Sequence, residues 1–344
     1  MIFVRNTNLL IPKDEPNLIA GVGVSGWFKL SILKTDLYGK PIEKSERVVA
    51  DFPNLVLVSG LNRLGSQASG TGNYCSFCQV GTGSNAPLET DTTLQSYLAG
   101  VAAATLNSSV QGAPPYYGQS VYTYDFAVGA AAGNLTEVGI GWAASGANLL
   151  SRALITDGGG TPITITVLSD EILRVTYTLR LYPNEVDSST VVTISGTNYT
   201  FTRRASDVNI STHWCLSGNS TSTAVALARA GISGNTSVDT LYVTNGSIGA
   251  ITASPSGSQA FRTSVANSAY VTGSFQTDGS ATWGINAANF GGSGITAAVV
   301  SAGEVPNLGR GFGRYQFGIS PGIPKINTQA LTLNLRVSWN RRIL

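Results

Sequence analysis

The feature that most constrains this chain is a side-chain alternation of period two. In residues 172–182, ILRVTYTLRLY, Leu173, Val175, Tyr177, Leu179 and Leu181 share one face, and Arg174, Thr176, Thr178 and Arg180 share the other. A helix would scatter those apolar residues around its axis, whereas a strand gathers them on one flank. The spacing predicts a long strand with one buried and one wet side. Residues 331–339 repeat the device: Leu331, Leu333, Leu335, Val337 and Trp339 alternate with Thr332, Asn334, Arg336 and Ser338. This predicts a second half-buried antiparallel strand near the end of the sequence. Val22, Val24, Phe28, Leu30 and Ile32 keep the same register, interrupted by Gly26, and predict a third.

Turn chemistry agrees with hairpins. Asp157-Gly158-Gly159-Gly160 separates the apolar runs 149–155 and 163–168, and Ser195-Gly196-Thr197-Asn198 separates 191–194 from 199–201. Helical signal is thin. Thr92 or Thr93 could cap a short helix through Leu94, Tyr97, Leu98 and Val101, and 221–230 could form another. The expected class is all-β: an antiparallel β-sandwich or jelly-roll-like domain with a second, smaller β domain and little helix. Composition shifts near residue 205, where small polar residues take over until about 303. The expected organisation is therefore one β domain from 1–205 with 304–344 and a small Ser/Thr/Gly-rich β domain at 206–303, inserted in or appended to the first and outward-facing.

Composition narrows the chemistry. Only 12% of residues are charged, and the 40 glycines stand among abundant Ser, Thr and Asn, giving a surface of hydroxyls and amides. A formal net charge of +2, with no basic cluster beyond Arg203-Arg204 and Arg341-Arg342, argues against nucleic acid as a partner. No window supplies the roughly 18 uninterrupted apolar residues of a membrane helix, and residues 1–16 lack a basic-then-apolar leader, so the expectation is a protein kept in a cytoplasm without membrane insertion.

YCSFCQVGTGSNAP, residues 74–87, sets a Cys-x-x-Cys beside a Gly-Thr-Gly-Ser run. Cys75 and Cys78 have zinc-knuckle spacing, and His213 and Cys215 complete a Cys3His set by count. A His-x-Cys pair is an unusual second half for such a site, so buried thiols are the preferred reading and no metal or other cofactor is expected. The Gly81–Ser84 run lacks the P-loop lysine and is read as a glycine turn after a strand. For hydrolysis of glycans, Asp157, Asp170, Glu171, Asp239, Asp278 and Glu304 are the available acids, yet none form an obvious facing pair; a triad would have to use His213, the sole histidine. No catalytic residue is assigned, and the chain is not read as an enzyme. Aromatic contacts to glycan could come from Trp214, Phe261, Tyr270, Phe275, Trp283 and Phe290, whose simpler reading is core, or from Tyr116-Tyr117 after Pro114-Pro115.

The ordered blocks FPNLVLVSGLNRLG, YCSFCQVGTGSNAPLETDTTLQSYLA, YTYDFAVGAAAGNLTEVGIGW, LLSRALITDGGGTPITITVLSDEILRVTYTLRLYP and RYQFGISPGIPKINTQALTLNLRVSWNR together resemble tailed-bacteriophage virion proteins of the tail-fibre or minor tail group. The likeness covers roughly residues 20–205 and the last thirty, and leaves 206–303 unmatched. It implies a virion component assembled in the host cytoplasm and associated with tail, neck or baseplate. Its expected partners are itself, with a trimer favoured, other virion proteins, and a host-surface glycan or receptor. A host-glycan adhesin and a capsid decoration protein are the alternatives, with a glycan depolymerase behind them.

Overall fold

The computed structural model describes residues 18–66, 74–214, 241–261, 264–301, 304–305, 310–311 and 313–342. The fold is all-β, built from several antiparallel sheets. Its organising element is the 17-residue strand Leu18–Lys34. One edge pairs antiparallel with Glu171–Pro183, from Val22 opposite Pro183 to Lys34 opposite Glu171. The other edge is divided between Leu331–Arg341, which runs parallel to its first half, and Arg47–Pro53, which runs antiparallel to its second half. The 331–341 strand was expected to be antiparallel; it is so only toward Gln276–Trp283, and it meets Leu18–Lys34 in parallel. Alternation reports which face of a strand is buried and carries no information on the direction of its neighbours.

These strands, with Tyr117–Asp125, Thr105–Gln111 and Ser264–Asn267, make an eight-stranded sheet. A five-stranded sheet contains Phe77–Gly81 between Glu137–Gly141 and Tyr97–Ala102, and a six-stranded sheet runs from Ser188–Ile194 through Arg314–Ile323 to Gln259–Phe261. One continuous apolar core joins all three, taking in Leu179 and Leu335, Val138 and Ile140, and Phe201 and Phe317. The described residues of 206–303 do not keep to a sheet of their own. Leu241–Thr244 and Ile295–Ser301 pair within the six-stranded sheet, and Gln276–Trp283 joins the eight-stranded one, beside strands from the flanking segments. The composition shift near residue 205 thus marks a change of surface chemistry within shared sheets.

The helix expected after Thr92 or Thr93 is absent: Tyr97–Ala102 is a strand paired with Phe77–Gly81. Of its supposed apolar stripe, Leu94 is buried while Tyr97 and Leu98 are exposed, so a helix there would have had no face to bury. The helix expected over 221–230 lies outside the described residues. A helix that alternation did not reveal, Val58–Ser66, packs under the eight-stranded sheet, where Trp339 Nε1 donates to the Leu61 carbonyl at 2.9 Å. The Ser195-Gly196 turn forms as expected, with φ of 49° and 83° in the two-residue loop between Ser188–Ile194 and Thr197–Ala205. Gly26 is explained by close approach, because a Cβ there would lie 2.3 Å from the Tyr177 hydroxyl.

Leu179 is fully buried between Gly26 on one neighbouring strand and Ser120 on the other. Neither flanking residue can swing into a void. Leu179→Ala should therefore sit near the upper end of such truncations, at about 4–5 kcal/mol of lost stability. Thr178→Ala, on the opposite face, should change stability by no more than about 0.5 kcal/mol. Urea unfolding midpoints of the two variants test the contrast; equal losses would contradict the assignment of faces.

Candidate functional site

The glycines of residues 81–84 cradle an anion, and the anion is the protein's own. Glu137 is fully buried, and its carboxylate accepts hydrogen bonds from the backbone N–H of Gly83 at 3.0 Å, Gln95 at 3.0 Å and Ser96 at 2.7 Å. Arg152, also buried, donates to it through Nε and Nη2 at 3.0 and 2.9 Å and reaches Asp91 through Nη1 at 2.6 Å. A Cβ on Gly83 would stand 2.4 Å from the Glu137 carboxylate. Glycine is thus needed there for close approach of a charged group; neither Gly81 nor Gly83 has a positive φ, contrary to the expectation of a glycine-specific turn. The network ties the 82–96 segment to the five-stranded sheet.

Cys75 and Cys78 are both buried free thiols, and burial pushes both well above the ordinary cysteine range, with a Tyr122 hydrogen bond opposing the shift at Cys75. His213 lies on the short helix Ser211–Trp214, where its Nε2 accepts from Arg314 Nη1 at 2.9 Å. Cys215 lies outside the described residues. Among the described residues no group of three or more His, Cys, Asp or Glu side chains is placed to hold a metal.

Arg314 joins His213 to a second buried carboxylate, Asp207, whose Oδ2 is 3.4 Å from Arg314 Nε and accepts from Ser206 and Ser254 hydroxyls at 2.9 and 2.7 Å. Asp207 has φ +52°, a left-handed conformation that Asp tolerates better than most residues. Both serine hydroxyls donate to the carboxylate and the histidine acceptor is held by arginine, so the cluster is a structural junction.

The acids weighed for hydrolysis are dispersed. Asp157 accepts from the Gly159 and Thr161 N–H groups of its own turn, Glu171 accepts from Leu168 N–H and pairs with Arg47, and Asp278 pairs with Arg336. Asp170 is exposed. Asp239 and the Glu304 side chain lie outside the described residues. Of the aromatics, Trp214 and Trp283 are fully buried, Tyr270, Phe275 and Phe290 pack against the core, and Phe261 is exposed. Tyr116 and Tyr117, expected to be exposed, are half-buried: Tyr116 N–H donates to Glu185, and the Tyr117 ring lies between Tyr182 and the Arg180 guanidinium.

What the sheets do present is a broad polar face. Antiparallel registry aligns Ser109, Gln119 and Arg180 in one row, which ends at the buried Ser25; Asn107, Val121, Thr178 and Trp27 in the next; and Thr105, Thr123, Thr176 and Lys29 in a third. Arg180 donates to Gln119, which donates to Ser109. The face ends in a cleft of about 560 Å³ lined by Val22, Gly23, Tyr182, Glu185, Trp339 and Arg342, among others. There the Arg342 guanidinium lies 4.1 Å from the Tyr182 ring centre, Tyr182 packs on Tyr117, and Arg180 covers Tyr117 at 4.5 Å. No protein-family model matches this chain, and no curated protein or solved structure matches it.

Two measurements check the electrostatics. Glu137→Gln leaves Arg152 buried beside a neutral amide and should cost about 3–5 kcal/mol, with the amides of 82–96 the first to gain hydrogen exchange; unchanged exchange there would refute the anchoring role. Burial raises the phenols of Tyr74, Tyr122, Tyr124 and Tyr177 far above their ordinary value and that of Tyr315 to about 12. Because each folded value exceeds the unfolded one of about 10, the stability these phenols contribute is whole below pH 10 and falls as pH rises toward 12 and beyond. Absorbance at 295 nm should therefore show these five buried phenols ionising only on alkaline unfolding; their titration near pH 10 in folded protein would contradict this.

Proposed function

We propose that this chain is a structural component of a tailed-phage virion, tail-associated, acting by assembly with copies of itself and with neighbouring virion proteins. The observation that carries this reading is the polar face of the eight-stranded sheet, where hydroxyl and amide side chains stand in register across four strands with Trp27, Val121, Arg180 and Lys29 among them. Such a surface suits a partner that offers the same groups in return, and it loses little by desolvation because few unpaired charges lie on it. Arg174 is engaged by Asp125 and Glu43, and Arg336 by Asp278. The ordered sequence blocks supply the virion context. Asp157, Glu171 and Asp278 support the same reading, since they are engaged in a turn and in ion pairs and are not gathered in one groove.

A homotrimer is the assembly favoured. Light scattering after gel filtration should give a mass of three chains, and Val121→Lys with Thr178→Lys, adjacent in one row of the face, should shift it to a single chain without lowering the melting temperature by more than a few degrees. A wild-type chain that stays monomeric at high concentration, or an oligomer indifferent to the two lysines, would reject the polar face as the assembly surface. Localising the chain in an intact particle tests the virion assignment separately.

A further inference from the structure

The sole histidine of the chain stands at a joint between two sheets. The short helix Ser211–Trp214 packs against Thr105–Gln111 and Tyr117–Asp125 of the eight-stranded sheet and against the strand Arg310–Gly311. Trp214 is the peg of the joint. It is fully buried, its Nε1 donates to the Ser206 carbonyl at 3.0 Å, and its ring meets the Tyr315 ring edge-on with centres 5.8 Å apart. On its other side the Trp214 carbonyl comes so close to Gly118 that a Cβ there would stand 1.7 Å from it. Gly118 belongs to the eight-stranded sheet and Tyr315 to the six-stranded one, so a shift of this helix reaches both.

His213 ties the helix to a buried charge. Its Nε2 lies 2.9 Å from Arg314 Nη1. A guanidinium only donates hydrogen bonds, and it is not deprotonated in proteins. The contact therefore fixes the chemistry of the ring: Nε2 accepts, and it carries no proton. Protonation of Nε2 removes that acceptor and sets an imidazolium directly against a guanidinium. Both changes disfavour the charged ring.

The surroundings offer little to offset a second cation. Arg314 is buried, its Nη2 donates to the Tyr242 hydroxyl at 3.4 Å, and its Nε, 3.4 Å from Asp207 Oδ2, has no hydrogen-bond partner. Asp207 is the one carboxylate paired with Arg314 among the described residues, and its Oδ2 already accepts from the Ser206 and Ser254 hydroxyls. Of the elements packed on the helix, Thr105–Gln111 carries no ionisable side chain, and the ionisable residue of Arg310–Gly311 is an arginine. Tyr117–Asp125 carries Tyr117, Tyr122, Tyr124 and a single carboxylate, Asp125, which Arg174 holds at the opposite end of the strand from Gly118. A protonated His213 would share one engaged anion with Arg314.

We propose that His213 is an acid-sensitive latch: neutral, it accepts from Arg314 and keeps the 211–214 helix seated at the joint; protonated, it gives up Arg314 and lets the helix, with Trp214, loosen from both sheets. This goes beyond the assembly reading and does not depend on it. The folded state favours the neutral ring, so the stability that the latch contributes is whole above the ordinary histidine value of about 6.5 and is lost as pH falls below it.

The test uses the full chain. With histidine labelled by carbon-13, the one imidazole gives one NMR titration, whose midpoint should lie at least about one pH unit below 6.5. Hydrogen exchange of 206–214, corrected for the intrinsic effect of pH, should rise about fivefold or more between pH 7.5 and 5.5, while that of 171–183 stays level. His213→Gln places an amide oxygen near the position of Nε2 and cannot take up a proton, so it should exchange as wild type does at pH 7.5 and lose the rise at pH 5.5. An imidazole that titrates at or above about 6.5 overturns the proposal, and so does exchange in 206–214 that ignores pH or rises equally in His213→Gln. Should the variant not fold, the wild-type titration decides alone.

Discussion

The structure depends on the strand Leu18–Lys34 having both edges filled. Its antiparallel partner, Glu171–Pro183, and its parallel partner, Leu331–Arg341, are separated from it by roughly 150 and more than 300 positions of sequence, and between them they align the apolar residues of three strands on one flank. The inward rows make this concrete. Val24 faces Leu181, Phe28 faces Tyr177 and Leu30 faces Val175, each fully or almost fully buried. Everything packed beneath, including the Val58–Ser66 helix under Trp339 and the two smaller sheets, leans on that flank.

This is also why so much of the fold is legible in the sequence. Leu173 to Leu181 and Leu331 to Trp339 carry a period-two signal that only a half-buried strand explains, and the residues assigned inward are the buried ones. Strand direction and sheet membership left no such mark. The parallel contact of 331–341 with 18–34, and the division of 206–303 between two sheets, follow from long-range pairing in which local propensity has no say. The false helix after Thr92 has the same cause: Leu94, Tyr97, Leu98 and Val101 fit a helical stripe locally, and pairing with Phe77–Gly81 overrides it.

The polar chemistry was legible only in part. Cys75 and Cys78 read as buried thiols and are so, but Gly81 and Gly83 read as a glycine turn, whereas what requires Gly83 is the close approach of the Glu137 carboxylate some fifty positions on. A signal did exist. Glu137 and Arg152 each interrupt an apolar stretch, and a charge inside a strand that is otherwise buried calls for a partner of opposite sign in the same place. The Asp207–Arg314 pair offered no comparable clue, since Asp207 sits in a polar run and its left-handed backbone appears only in three dimensions.

Two loops, 35–42 and 156–163, share the pattern Thr-Asp-x-x-Gly-x-Pro-Ile and the same hydrogen bonds, with Leu37-Tyr38 in one where the other has Gly158-Gly159, and they set a limit on what hydrophobicity in a sequence means. Inside the sheets, an apolar residue at an inward position contributes to stability by the water it leaves, about 1.5–3 kcal/mol for a large side chain. Leu37 and Tyr38 leave no water in the isolated chain, and the Gly158-Gly159 loop demonstrates that the backbone closes without them. Burial within the chain therefore does not account for their being apolar, whereas it fully accounts for Leu179 and Trp339. Two copies of one frame within a single molecule thus separate the Asp, Gly and Pro that build the loop from the two positions that stand outside it.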